Sequence, residues 1–244
     1  MIIIDYILGS LFRVGFILSL LTFHPIQIIA YNIWGSAAQQ KVAQYLNGAF
    51  ILCFKIAGTR IGFIEKYKPP TDQPVIFVAN HQSMWDIVGI YWYLRNYKPT
   101  FVSKLELAKG IPSISYNLRK SNAALINRKD KKQAISEILR LSKYIQKERK
   151  SAVIFPEGTR SRSGKLREFA FGGIITLKRK APTALIVPIA IKGTGAIEAS
   201  KRYRIHAFKS ISWTVLPPID SSHLQPEALA TLIRDQISDE LSES

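Results

Sequence analysis

The chain opens on an apolar stretch: no Asp, Glu, Lys or Arg occurs between Val14 and Gln40, and the segment from Val14 to Trp34 is predominantly hydrophobic. Its length meets the roughly 20 residues that a spanning helix needs, but His24, Pro25, Gln27 and Asn32 fall inside it and would be costly at the centre of a bilayer. A second apolar stretch, Val42 to Gly58, is interrupted by Gln44, Asn47 and Lys55. Two imperfect segments predict a pair of helices that enter one leaflet or lie in the interface, with Tyr31, Trp34 and Tyr45 at headgroup level. A true spanning anchor is the rival reading. A cleaved signal peptide fits less well, because the first six residues contain Asp5 and neither Lys nor Arg. If the segment spans, Lys41, Lys55, Arg60, Lys66 and Lys68 on its downstream side place the rest of the chain in the cytoplasm.

The pattern changes at Lys68-Pro69-Pro70-Thr71-Asp72-Gln73-Pro74, where closely spaced prolines cannot continue a helix. The boundary is set there, giving a membrane-associated helical region at 1–68 and an α/β domain at 69–244. Short apolar runs then recur at Val75 to Ala79, Thr100 to Ser103, Ala123 to Ile126, Ala152 to Phe155, Leu185 to Ile191 and Ser212 to Leu216, and read as buried strands. Helical patterns lie between them. The clearest runs from Lys131 to Glu148, with Ala134, Ile138, Leu141 and Ile145 on one face and Asp130 placed to cap it. The last helix is expected from Pro226 to Leu241. Strands alternating with helices predict a mixed, mostly parallel sheet flanked by helices.

Composition narrows the picture. Of the 244 residues 47% are hydrophobic and 11% aromatic, with a mean hydropathy of +0.06, which excludes a disordered chain and leaves apolar surface for a membrane. A single cysteine, Cys53, excludes an internal disulfide and a Cys-based zinc cluster. The net charge of +17 is concentrated: residues 95–180 hold 22 of the 34 Lys and Arg against 6 of the 17 Asp and Glu. Such a face attracts anionic lipid headgroups, phosphorylated substrates or an acidic carrier protein. Nucleic acid is not the expected partner, because the cations are not organised with aromatic stacking platforms.

In open α/β sheets ligands gather outside the carboxyl ends of the strands. The residues that follow the first four runs are polar: Asn80-His81-Gln82-Ser83-Met84-Trp85-Asp86, then Lys104, then Asn127-Arg128, then Pro156-Glu157-Gly158-Thr159-Arg160-Ser161. His81 and Asp86 are five apart at a strand-to-helix turn, close enough for the carboxylate to hold one ring nitrogen while the other takes a proton. A substrate hydroxyl can then serve as nucleophile. Alone, the spacing also fits a turn histidine beside a capping aspartate. Gly158 relieves steric limits where backbone N–H groups face an anion, Arg160 offers a planar fork, and Lys104 and Arg128 add positive charge. The histidines at 24, 81, 206 and 223 lack metal-ligand spacing, so no metal is expected in the site.

Together, Asn80 to Asp86 and Phe155 to Ser161 resemble the first and third signature blocks of the 1-acyl-sn-glycerol-3-phosphate (lysophosphatidic acid) acyltransferases. Ile126-Asn127-Arg128 is similar to the second block and Val187-Pro188-Ile189-Ala190 to the fourth. The resemblance runs from about Val75 to Ile191. It implies transfer of an acyl group from acyl-CoA or acyl carrier protein, as co-substrate and without other cofactor, to the 2-hydroxyl of lysophosphatidic acid at a phospholipid bilayer. Carried over block by block, His81 is the general base and Asp86 its orienting partner. Glu157, Gly158, Thr159 and Arg160 shape the acceptor site, with Arg160, Arg128 and Lys104 near the phosphate, and Val187 and Pro188 help line the acyl side. Two departures stand out: Asn122 where the family usually has Gly, and Asn127 where it has an acid. They leave room for another lysolipid acceptor. A hydrolase using water or Ser83 and a non-enzymatic lipid-binding module are the readings from other classes.

Overall fold

The computed structural model describes residues 2–161, 164–197, 205–221 and 223–243. The apolar N-terminal stretch folds as α1 (Ile2–Ile56), two helical arms joined at Gly35, whose φ of 79° and ψ of −170° are open only to a residue without Cβ. The expected helix pair is present, and it breaks at Gly35, while Pro25 stays inside the first arm. The arms run antiparallel, with the Phe16 ring of the first 4.7 Å from the Phe50 ring of the second. Gln39 Nε2 donates across the arms to Gln27 Oε1 at 2.8 Å.

Inward, Phe12, Phe16 and Phe54 meet the Trp85 ring edge-on at 5.2 Å, 5.3 Å and 5.3 Å. Outward, Ile7, Leu11, Val14, Leu18 and Leu21 recur every three or four residues and are each at least half exposed. Among the described residues, this is the helix long and apolar enough to cross a membrane.

Next come β1 (Arg60–Glu65), β2 (Val75–Ala79), α2 (Asp86–Tyr93), β3 (Pro99–Lys104), α3 (Ile114–Lys120), β4 (Ala124–Ile126), α4 (Lys131–Glu148) and β5 (Ser151–Ile154). After these follow α5 (Phe171–Lys180), β6 (Leu185–Lys192), α6 (Thr194–Ile197), β7 (Ser210–Val215) and α7 (Pro226–Glu243). Among the described residues the strands form one sheet in the order β1-β7-β6-β2-β5-β3-β4. Every pairing is parallel except β6 with β7, so the sheet is mixed and mostly parallel, as the pattern predicts.

Side-chain alternation sorts the core into two layers. In β2, Val75, Phe77 and Ala79 pack towards α1 and α2, while Ile76 and Val78 pack towards α4, α5 and α7. The α4 start is as expected, with the Asp130 side chain accepting from Gln133 N at 3.0 Å. β1 corrects the boundary at 68: it pairs in parallel with β7, from Arg60 beside Ser210 to Glu65 beside Val215. The sheet therefore starts upstream of the proline turn. As a half-exposed edge strand carrying Arg60, Gly62 and Glu65, it lacks the continuous apolar run that marks a central strand.

Candidate active site

Five parallel strands point their carboxyl ends the same way, in the spatial order β6, β2, β5, β3, β4. That order fixes the layout of one edge. Thr194 stands after β6, His81 after β2, Glu157 to Arg160 after β5, Lys104 at the end of β3 and Arg128 just past β4. The histidine thus sits centrally, with every sequence-nominated cation on its β5-β3-β4 side. Lys104 is in register with Ile126, two residues before Arg128. Lys104, Arg128, Thr159 and Arg160 are exposed.

His81 Nδ1 lies 2.7 Å from Asp86 Oδ2. A carboxylate only accepts, so the Nδ1–H donates and Nε2 is left as the basic nitrogen. Asp86 is fully buried, a costly place for a charge unless donors surround it. They do: its Oδ2 also accepts from Gln82 N at 2.7 Å and Ser83 N at 3.0 Å, and its Oδ1 accepts from Thr194 Oγ1. Trp213 Nε1 donates to the Asp86 carbonyl at 2.9 Å. The imidazole stacks on Phe155, ring centroids 4.3 Å apart and planes 24° off parallel. Asn80 fastens the strand end beneath it, donating to Ile191 O at 2.8 Å and accepting from Ile191 N at 2.7 Å.

The loop after β5 is locked to the histidine loop in both directions. His81 N donates to Glu157 Oε1 at 2.7 Å, and Ser161 N donates to His81 O at 2.7 Å. Glu157 Oε2 accepts from Arg167 N at 3.3 Å, so this carboxylate braces the site from behind. Burial pushes its pKa above the usual carboxylate range, and the hydrogen bonds from His81 and Arg167 draw it partly back. Gly158 takes a φ of 67° that turns the loop. Asn122 likewise adopts a left-handed φ of 60°, so Asn serves at the position where Gly is usual. Asn127 shapes its own turn, its Oδ1 accepting from Lys129 N at 3.1 Å.

A cavity of about 150 Å³ begins at Met84 and Trp85, directly after the His81 loop, and runs between α1, α2 and α3 past Phe50, Val88, Phe101 and Leu118. Val187 and Pro188 do not line it. Both are buried inside β6, aligned with Phe77 and Val78 of β2, and belong to the sheet core. The apolar lining comes instead from the α1 hairpin and from helices that periodicity alone could not bring together. Sequence reasoning also missed Thr194, although inspection of the residues just past the fifth run, as was done for the first four, reaches it.

The family model described as Acyltransferase matches residues 60–192, more than half of the chain. The chain belongs to the acyltransferase family. As an acyltransferase-family protein it is 31% identical over 193 residues to a 1-acyl-sn-glycerol-3-phosphate acyltransferase of Chlamydomonas reinhardtii, covering 78% of this chain and 56% of that one. A probable 1-acyl-sn-glycerol-3-phosphate acyltransferase of Mycoplasma genitalium is 27% identical over 243 residues, 93% of this chain and 86% of the relative. The chain spans about half the length of the algal and plant relatives it matches. Its fold is shared with the crystal structure of the 1-acyl-sn-glycerophosphate acyltransferase of Thermotoga maritima, with a TM-score of 0.79 at 20% identity over 98% of this chain and 95% of that one.

Proposed function

We propose that this acyltransferase-family protein moves an acyl group from acyl-CoA or acyl carrier protein to the sn-2 hydroxyl of 1-acyl-glycerol-3-phosphate, giving phosphatidic acid for phospholipid synthesis. The observation that carries this reading is the His81–Asp86 pair, with its buried carboxylate and its free Nε2 at an edge rich in cations. Nε2 takes the proton of the acceptor hydroxyl as its oxygen attacks the thioester carbonyl. A C–O bond forms, the tetrahedral intermediate collapses with loss of the C–S bond, and the proton passes from His81 to the departing thiol. The thioester arrives activated, so the step calls for no metal and no cofactor beyond the acyl donor.

Arg160, Arg128 and Lys104 suit the acceptor phosphate, and the cavity from Met84 suits the acyl chain. The outward apolar stripe of α1 would seat the protein in one leaflet, with the cation-rich body on the cytoplasmic face.

The test is to incubate membranes carrying the wild-type chain or His81→Ala with lysophosphatidic acid and a labelled long-chain acyl-CoA, repeating it with acyl carrier protein and with other lysolipids. Phosphatidic acid should form and should fall at least ~10²-fold in the variant, the lower end for a general base. Product on a different lysolipid alone would reassign the acceptor, and equal product in both samples would remove His81 from the chemistry.

A further inference from the structure

The second arm of α1 has two working faces. One, with Asn47 and Phe50, walls the cavity that begins at Met84. The opposite face, with Tyr45, Ala49, Leu52 and Lys55, borders a groove of about 570 Å³ completed by Phe23 of the first arm and Trp92 of α2. That volume is in the range of small-molecule sites. The groove opens outward, where Tyr45 and Leu52 are 61% and 60% exposed. Its lining is mainly apolar apart from Lys55, whose ammonium has no hydrogen bond or ion pair among the described residues. A second cation, Arg95, lies 4.7 Å from the Trp92 ring centroid.

We propose that this groove binds one acyl chain of an anionic phospholipid from the surrounding leaflet, with Lys55 at its phosphate. An apolar trough of this size on the outer side of the hairpin would be a liability in water, and inside a leaflet the molecules available to fill it are lipid chains. The charge at its border selects among them: an unpaired ammonium beside an apolar slot complements a chain with a negative head and gains less from a zwitterion. The occupant lies behind the helix whose other face walls the catalytic cavity, and so is distinct from donor and acceptor. This inference rests on the membrane association proposed above.

Full-length protein is reconstituted into phosphatidylcholine vesicles containing a trace of phosphatidylglycerol with a diazirine on one chain, a lipid that is not the proposed product. Irradiation should label the segment from Val42 to Lys55 saturably, roughly five-fold more than the same diazirine chain on phosphatidylcholine, the factor carried by one basic residue at an anionic surface. Lys55→Gln should erase that headgroup preference, and Ala49→Phe, which fills the slot, should abolish saturable labelling. Both variants should keep the wild-type circular dichroism and vesicle sedimentation. Equal labelling by the two headgroups, or labelling that Ala49→Phe leaves intact, overturns the groove site while leaving membrane association standing. A wild-type chain that does not sediment with vesicles overturns both.

Discussion

Four donors reach the fully buried Asp86 carboxylate: His81, two backbone N–H groups and Thr194. Removing the hydroxyl leaves one oxygen of a buried carboxylate without its donor, and a hydrogen bond to a charged group is worth about 1.5–3 kcal/mol. If that stabilisation is needed when His81 turns cationic, Thr194→Val should lower kcat by roughly ten-fold or more with KM for the acyl donor little changed, and Thr194→Ser should recover most of it. Steady-state kinetics decides, and an unaltered kcat would confine Thr194 to packing. Glu157 poses a different question, since its pKa is raised by burial. A carboxyl whose folded pKa lies above its unfolded value favours the fold when protonated, and that contribution is lost as pH rises through the folded pKa. Glu157→Gln cannot ionise, so its Tm relative to wild type should become more favourable from below pH 4.5, the ordinary value, towards neutrality. A difference that is flat with pH would show that the ionised form is fully compensated by His81 N and Arg167 N.

At the scale of elements, the α1 hairpin carries two incompatible-looking tasks on opposite sides. Its inner aromatics clamp Trp85, one residue from Asp86, so the helix pair helps to set the start of α2 and hence the dyad. Its outer stripe is apolar and at least half exposed. Substituting Leu11, Val14 and Leu18 together by Asp should therefore spare Tm while strongly reducing co-sedimentation with vesicles, because charge is disfavoured in the hydrocarbon but tolerated in water. Retained sedimentation would assign anchoring to the basic face. The apolar run announced these helices, yet it could not show which side faces the sheet: hydrophobic residues fall on every side of the first arm, and only packing against Trp85 distinguishes them. The edge strand β1 was hidden for the opposite reason, since its mixed residues are acceptable only because β7 supplies a ladder.

For the whole molecule, hairpin and sheet share one core: Phe12, Phe50 and Phe54 belong to the same buried cluster as Phe77, Val187 and Trp213. Deleting residues 1–58 should accordingly give an aggregated or unfolded product by size exclusion and circular dichroism. A monomeric, folded remainder would mean that the sheet domain is self-sufficient. Local pattern and residue type were enough to determine the mostly parallel α/β architecture and the polar strand ends, because burial of runs depends on residues adjacent in sequence; the spacing of His81 and Asp86 allowed their contact, and only the resemblance of the surrounding blocks implied its role. Tertiary structure alone decided that Thr194, 108 positions from Asp86, completes the carboxylate's shell. It also decided that Glu157 braces the His81 backbone, that Val187 and Pro188 belong to the core, and that α1 walls the cavity. Each of these depends on strand order and helix packing, where groups far apart along the chain meet only once the whole sheet has closed around them.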